Sequence, residues 1–581
     1  MKEGITTKDV VYNPPVSLKR KQSTKSIEVI GLDTEALTTG QMFMFCTGKG
    51  GVFTPEQFPH CFFTREYRGS HFVTYNLKYD EGAFLQVLPV QNLKQLWKEN
   101  RTEYDGYTYK CVPKKLLCVS KGKNSIHIWD MATFFMSSLN KAAKEFLGEE
   151  KIDVGSKDFT PERVEREWNE IALYCIQDAK LVERLAQSLI RKFEQMGVYP
   201  TKLYSTAYAS WQYFTSTCDI PTVKRFWEYD KGLLDYAMLS YNGGKFEVTE
   251  KGVDDYWEYD INSAYPYEIA NLLDISNAEV IKSDKYQRRC DYGFLLCEMS
   301  IPVNLYHPVA IKRNGVNVYP SGCFQKVITK QEYDYFRQNG IKPTILQGYW
   351  LNINKPVFPF REAINHLYTL KSSLKGTDDK ITYHLVKILL NSLYGKFCQL
   401  IDNGGKLRAS GCWNPIYASI ITANTRIKVS KMQQQYPSIV ATFTDSIIST
   451  TPLPIESNTQ LGEFAPASTG KGVIVGSGVY QIGEKVKFRG FEGKFNLMEL
   501  LSSSDKTIDI ETVRPYTWRE TIFHNWDKDL INRFTPAEKS ITPNFDSKRI
   551  WLDDYTSFKE VLQRKVESLP LVIDEELGWI T

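Results

Sequence analysis

Two aspartates far apart in this chain sit at the ends of strand-like runs. Around Tyr259-Asp260-Ile261-Asn262-Ser263-Ala264-Tyr265-Pro266, apolar Trp257, Tyr259 and Ile261 alternate with Glu258, Asp260 and Asn262, the period of two that marks a strand. Pro266 has no N–H for a ladder, so the strand is expected to stop there. Phe443-Thr444-Asp445-Ser446-Ile447-Ile448 has the same habit. One such aspartate alone is commonly a solvated edge residue. Two meeting at the end of one sheet would hold two divalent cations, the pairing that stabilises both the attacking and the leaving oxygen in phosphoryl transfer. Between them, Lys387, Asn391 and Tyr394 fall at i, i+4 and i+7 and share one helix face. A cation, an amide and a flat ring on one face suit a nucleoside triphosphate. Ile388, Leu389, Leu390 and Leu393 supply the buried face, and Gly395 reads as the helix stop.

A second set of acids lies upstream. Asp33 and Glu35 close an apolar run from Ile27 to Leu32, and an Asp-x-Glu in a strand puts both carboxylates on one side. Asp80 follows in Tyr75-Asn76-Leu77-Lys78-Tyr79-Asp80. Thr160-Pro161-Glu162 offers an N-cap, a first-turn proline and an acidic start for a helix that carries Tyr174 and Asp178 one turn apart. Four carboxylates brought together would bind two hard cations.

Asp260-x-x-Ser263-x-Tyr265-Pro266, Lys387-x-x-x-Asn391-Ser392-x-Tyr394-Gly395 and Thr444-Asp445-Ser446 resemble, in order, the three polymerase motifs of family B DNA polymerases. The layout is similar to the compact protein-primed members of bacteriophages and mobile elements. Asp33-x-Glu35, Asn76-x-x-Tyr79-Asp80 and Tyr174-x-x-x-Asp178 resemble the motif set of a proofreading 3′–5′ exonuclease. The resemblance implies an α/β multidomain fold, an RNase H-like exonuclease domain followed by a right hand of palm, fingers and thumb.

It also implies roles. Asp260 and Asp445 would be catalytic and bind two Mg²⁺ or Mn²⁺; Asp33, Glu35, Asp80 and Asp178 would hold two more. Tyr174 would orient the attacking water, and Asn76 and Tyr79 would hold the frayed primer end. Lys151 matches a further lysine motif of the protein-primed group. Ser263, Tyr265, Lys371, Lys387, Asn391 and Tyr394 would bind the nucleotide, with Tyr265 rejecting a 2′-OH. Tyr241-x-Gly243-Gly244, which could otherwise be a hairpin turn, would touch the template. Tyr480, beside the basic run Lys485 to Arg489, would contact the primer. The implied partners are primer-template DNA, deoxynucleoside triphosphates and a terminal priming protein. Four departures stand out. Ala36 replaces a hydroxyl after Glu35, Phe443 replaces the first acid of the third polymerase motif, and Gly478 stands where a lysine is expected. Asn403-Gly404-Gly405-Lys406 is all that remains of a hairpin linked to strand displacement and processivity.

At 581 residues the chain exceeds one ordinary core. The expected division is a basic tail (1–26), an exonuclease domain (27–200), a connecting segment (201–256), palm with an insertion (257–359), fingers (360–400), palm (401–490) and thumb (491–581). The tail, with four cations between Ser17 and Lys25, reads as solvated surface. A net charge of +4 neither announces nor excludes a nucleic-acid partner. The 11 cysteines form no Cys-x-x-Cys, which suggests free thiols in a reducing compartment. No apolar stretch reaches membrane-spanning length, so a soluble protein of the host cytoplasm is expected. Two rival classes stay open: a nuclease-dominated repair enzyme with a degenerate polymerase half, suggested by Phe443, and a non-catalytic replication scaffold. Synthesis from a protein hydroxyl, from an ordinary primer or with no primer is likewise open.

Overall fold

Each set of acids belongs to its own sheet, the first mixed and the second antiparallel. The computed structural model describes residues 5–18, 23–156, 158–403, 406–490, 495–574 and 578–580. The first sheet has eight strands, among them β1 (Val29–Ala36), β2 (Met42–Thr47), β3 (His71–Thr74) and β4 (Asn124–Asp130). β1 runs parallel to β3, β3 parallel to β4, and β2 antiparallel to β1. Helix α1 (Leu77–Leu85) follows β3, and α2 (Pro161–Gln195) lies across β1. Thr160 caps α2 by accepting from the Arg163 amide, with Pro161 in the first turn, as the sequence pattern requires. The approach of α2 is close. A Cβ on Gly31 would fall 1.8 Å from the carbonyl oxygen of Ala179, so only glycine lets the helix bring Asp178 over the strand of Asp33.

The second sheet carries the other pair. Its main path is β5 (Lys245–Val248), β7 (Ile439–Thr444), β8 (Ser446–Ser449), β6 (Glu250–Ile261), β9 (Phe464–Gly476), β10 (Val479–Ile482) and β11 (Lys485–Phe488). Every neighbour along it is antiparallel. Helix α3 (Ala264–Ala270) starts directly from β6. The pair α4 (Arg361–Leu374) and α5 (Lys380–Ser392) forms a helical hairpin, and α6 (Pro415–Gln435) packs beneath the sheet. α6 is buried on nearly all sides, Arg426 included, which places it at the centre of the molecule rather than at its surface.

Packing corrects what is expected at both ends of the chain. The N-terminal tail is not simply solvated: Val10 and Val11 pair with Leu407 and Arg408, Val10 and Leu18 are buried, and Tyr12 packs edge-on to Trp227 and Trp413. Lys19, Arg20 and Lys21 lie outside the described residues, as do Gly404 and Gly405. The insertion within residues 257–359 contains a helix, Lys330–Gln338, started by a Thr329–Glu332 capping box. Finally, residues after 490 do not form one unit. Strands β12 (Ile508–Pro515) and β13 (Phe534–Ile541) make a hairpin, whose connection buries Trp518, Ile522 and Ile531 against the first domain. Phe558–Val561 is a single helical turn, and Val566–Pro570 returns to pair with β6.

Candidate catalytic sites

In the first domain, β1 delivers Asp33 and Glu35, α1 delivers Asp80 and α2 delivers Asp178. With Asn76, Tyr79 and Lys151 they line one cleft of about 1400 Å³. Burial and the neighbouring charges of Glu35, Asp178 and Asp80 push the Asp33 carboxyl well above its ordinary value, while the Lys151 ammonium opposes them. Lys151 pairs with Asp178 and lies 5.0 Å from the centre of the Tyr174 ring. Thr34 donates a 2.6 Å hydrogen bond to Asp80, yet burial still pushes that acid up to about 7.

Asp80 Oδ2 and Asp178 Oδ1 are buried and accept no hydrogen bond among the described residues. Orphaned carboxylate oxygens facing other carboxylates are the donor set a pair of hard cations requires. Cys175 also brings its sulfur within 4.8 Å of Asp33 and Glu35. Burial keeps that thiol protonated, and it donates to the Asp33 carbonyl, so it is no partner for a hard cation. Burial and the charges of Asp178, Glu35 and Asp33 likewise keep the Tyr174 phenol protonated. Asn76 takes a left-handed conformation, φ 80°, at the exposed N-cap position of α1, with no side-chain capping bond. Tyr79 stacks on Phe534 of β13 with ring centres 6.0 Å apart.

In the second sheet, Asp260 lies directly across the ladder from Ser446. Thr444, at φ 67°, turns the chain between β7 and β8, and the Ile261 amide donates to the Asp445 carbonyl. Both aspartates therefore sit at one end of adjacent strands. Burial and the Glu258 charge raise Asp260; burial and Asp260 push Asp445 up to about 6; Lys485 opposes both shifts. A Cβ on Gly244 would fall 2.5 Å from Thr444 Cγ2, so this glycine lets the Tyr241–Gly244 connection cross the turn that carries Asp445. That connection is no hairpin. It leads from a helix ending at Ser240 into β5, and Arg426 holds it by donating to the carbonyls of Asn242 and Gly243 at 2.7 and 2.9 Å.

The helical hairpin stands over this end of the sheet. Lys371 Nζ donates to Ser263 Oγ at 3.0 Å, and Ser263 itself has φ 52° at the start of α3. Burial and the Lys387 charge lower the Lys371 pKa. Lys387 and Asn391 are exposed. α5 ends at Ser392, and Gly395 lies inside a further short helix, Tyr394–Phe397, rather than at a helix stop. The rings of Tyr265 and Tyr394 are 4.6 Å apart, and Tyr394 shares a hydroxyl hydrogen bond with Tyr241. Burial pushes the Tyr265 phenol up to about 12. Tyr480, expected to face the primer, turns inward instead. It stacks on Phe443 and donates to Glu258 at 3.2 Å.

Four residues escaped the sequence reading. Asp130 accepts from the amides of Asn76 and Leu77 at 3.0 and 3.2 Å and fixes the start of α1; its signal was a strand pattern ending in an acid. Glu258 had a signal too, since it shares a strand face with Asp260. Arg514 and Phe534 line the first cleft from the far hairpin, and no local pattern announces that.

Residues 149–407 match a family model described as DNA polymerase type B, organellar and viral. A probable DNA polymerase of Podospora anserina is 27% identical over 169 residues, 29% of this chain and 14% of its own length. One of Ascobolus immersus is 33% identical over 168 residues, 27% and 13% respectively. The matched part thus spans about a seventh of those fungal relatives. The DNA polymerase of Bacillus phage phi29 is 24% identical over 462 residues, 68% of this chain and 75% of the phage protein. The phi29 enzyme solved with primer-template DNA and incoming nucleotides superposes with a TM-score of 0.60 at 16% identity, covering 90% of this chain and 100% of that one. The chain thus shares the fold of the phi29 enzyme, and residues 149–407 are similar to the type B DNA polymerases of the organellar and viral kind.

Proposed function

We propose that this chain is a template-directed DNA polymerase with a proofreading 3′–5′ exonuclease. The observation that carries it is the meeting of Asp260 and Asp445 at one sheet end, with Lys371 of the helical hairpin bonded to Ser263 just beyond Asp260. Asp260 and Asp445 are the residues that would hold two Mg²⁺ or Mn²⁺ ions, which when bound neutralise the leaving pyrophosphate and the attacking 3′ oxygen. Lys371 and Lys387 hold the triphosphate from the helical hairpin, with Ser263 positioning Lys371. Asn391 lies on the same face. Tyr265, wedged against Tyr394, closes the space beneath the sugar and excludes a 2′-OH. Tyr241, Gly243 and Gly244 set the template beside Tyr394.

In the first cleft, Asp33, Glu35, Asp80 and Asp178 would hold a second pair of ions. Tyr174 and Lys151 orient the water at Asp178, and Asn76 and Tyr79 grip the primer end. The substrates are primer-template DNA and deoxynucleoside triphosphates. Resemblance of layout to the protein-primed group supports a terminal protein as the start of synthesis. No helix among the described residues is long and apolar enough to cross a membrane.

A 5′-labelled primer on a longer template with Mg²⁺ tests the reading. Growth with deoxynucleotides and shortening without them is expected. Asp445→Ala should abolish growth and leave shortening intact. Shortening under both conditions in the unaltered protein favours a nuclease, and no change in either would refute both activities.

A further inference from the structure

Glu258 is the least expected charge in the palm sheet. It sits two residues before Asp260 on the same strand face and is only 1% exposed. A buried carboxylate needs every lone pair answered, and three side chains from different strands answer this one. Ser446 donates to Oε1 at 3.0 Å and Tyr480 at 3.2 Å, while the Lys485 ammonium donates to Oε2 at 2.5 Å. Phe443, which stands where the third polymerase motif of the family has an acid, completes the group. Its ring lies parallel to Tyr480, 4.9 Å away, and fixes the phenol that points at Glu258.

The charge therefore has a purpose other than packing. A hydrophobic pair would stabilise this sheet as well or better. What the arrangement does is hold one ammonium, still 29% exposed, on the strand face of Asp260 and beside Ser446, the residue that follows Asp445 and lies across the ladder from Asp260. Gly478, two residues before Tyr480, brings no side chain there; Lys485 reaches the position from the adjoining strand, β11.

We propose that Glu258 is a positioning residue of the polymerase site, and that the Lys485 it holds contacts the phosphodiester at the 3′ end of the primer. This rests on the polymerase reading. The two residues should fail differently. Lys485→Ala removes a phosphate contact, so primer-template affinity falls and the slope of log affinity against log salt drops by about 0.9. Glu258→Gln leaves the cation but releases it. The salt slope should then persist, while the single-turnover rate of the first incorporation falls about tenfold, roughly the loss of one well-placed charged contact. In the double variant the rate should be no lower than in the worse single variant.

The experiment measures binding of a fluorescent primer-template in Ca²⁺ without nucleotide, and incorporation in Mg²⁺. Circular dichroism and the melting temperature report that each variant is folded. An unchanged salt slope in Lys485→Ala would show that the ammonium serves only the buried acid, and normal incorporation by folded Glu258→Gln would remove the positioning role. If the unaltered protein binds but does not extend, the polymerase reading fails while the binding arm still decides whether Lys485 meets phosphate.

Discussion

On the polymerase reading, sugar choice would depend on one ring. Tyr265 is packed against Tyr394, which is in turn tied to Tyr241 by a shared hydroxyl hydrogen bond, so the ring has little room to yield to an extra oxygen. Tyr265→Val opens that room, and incorporation of ribonucleotides should rise by at least about tenfold relative to deoxynucleotides, the scale of one lost steric contact; unchanged discrimination in a competition assay would exclude the ring as the barrier. Glu268 on α3 makes a different residue-scale claim. It accepts from Asn424 at 2.8 Å, yet burial pushes it up to about 7. The folded state therefore binds its proton more tightly than the unfolded state does. Its contribution is present below about pH 4.5 and is lost as pH rises through about 7. Glu268→Gln removes the buried charge, so above pH 7 the variant should melt higher than the parent, with the difference shrinking towards pH 5. A difference that is the same at both pH values would refute this.

At the scale of elements, two glycines decide whether each site assembles. Gly31 admits α2 to the surface of β1, and Gly244 admits the strand-leading connection to the Thr444 turn. Overpacking of this kind typically costs about 1–3 kcal/mol and shifts backbone. Gly31→Ala must push α2, and with it Asp178, away from Asp33. Exonuclease activity should be lost while primer extension survives, because the palm sheet shares no strand with the first domain. Retention of exonuclease activity would show that the helix can move without disturbing the acids.

At the scale of the molecule, the C-terminal hairpin reaches back across the chain to the first domain. Trp518 is fully buried there and donates its indole N–H to Glu81 at 3.1 Å, Lys528 donates to the Gln86 carbonyl, and Asn532 to that of Tyr79. These contacts hold Phe534 on Tyr79 and Arg514 in the cleft wall. Trp518→Ala should cost about 3–5 kcal/mol of this docking. Degradation of single strands should then slow while single-nucleotide incorporation on a stable primer is retained. Equal loss of both activities would mean that the hairpin serves the fold as a whole.

The sequence by itself determined which acids are the candidates. Asp33, Glu35, Asp80, Asp178, Asp260 and Asp445 stand in short motifs whose spacing follows from strand and helix periods, and the cap at Thr160 and the α4–α5 hairpin are equally local. Tertiary structure decided which charges are shared and which side chains turn inward. Tyr480, Phe443 and Lys485 converge on Glu258 only because strands from residues 250 to 488 lie side by side. The N-terminal segment is buried only because the strand at residues 406–409 is there to pair with it. Local periodicity reports the face a residue occupies; what lies opposite that face is set by contacts hundreds of residues away.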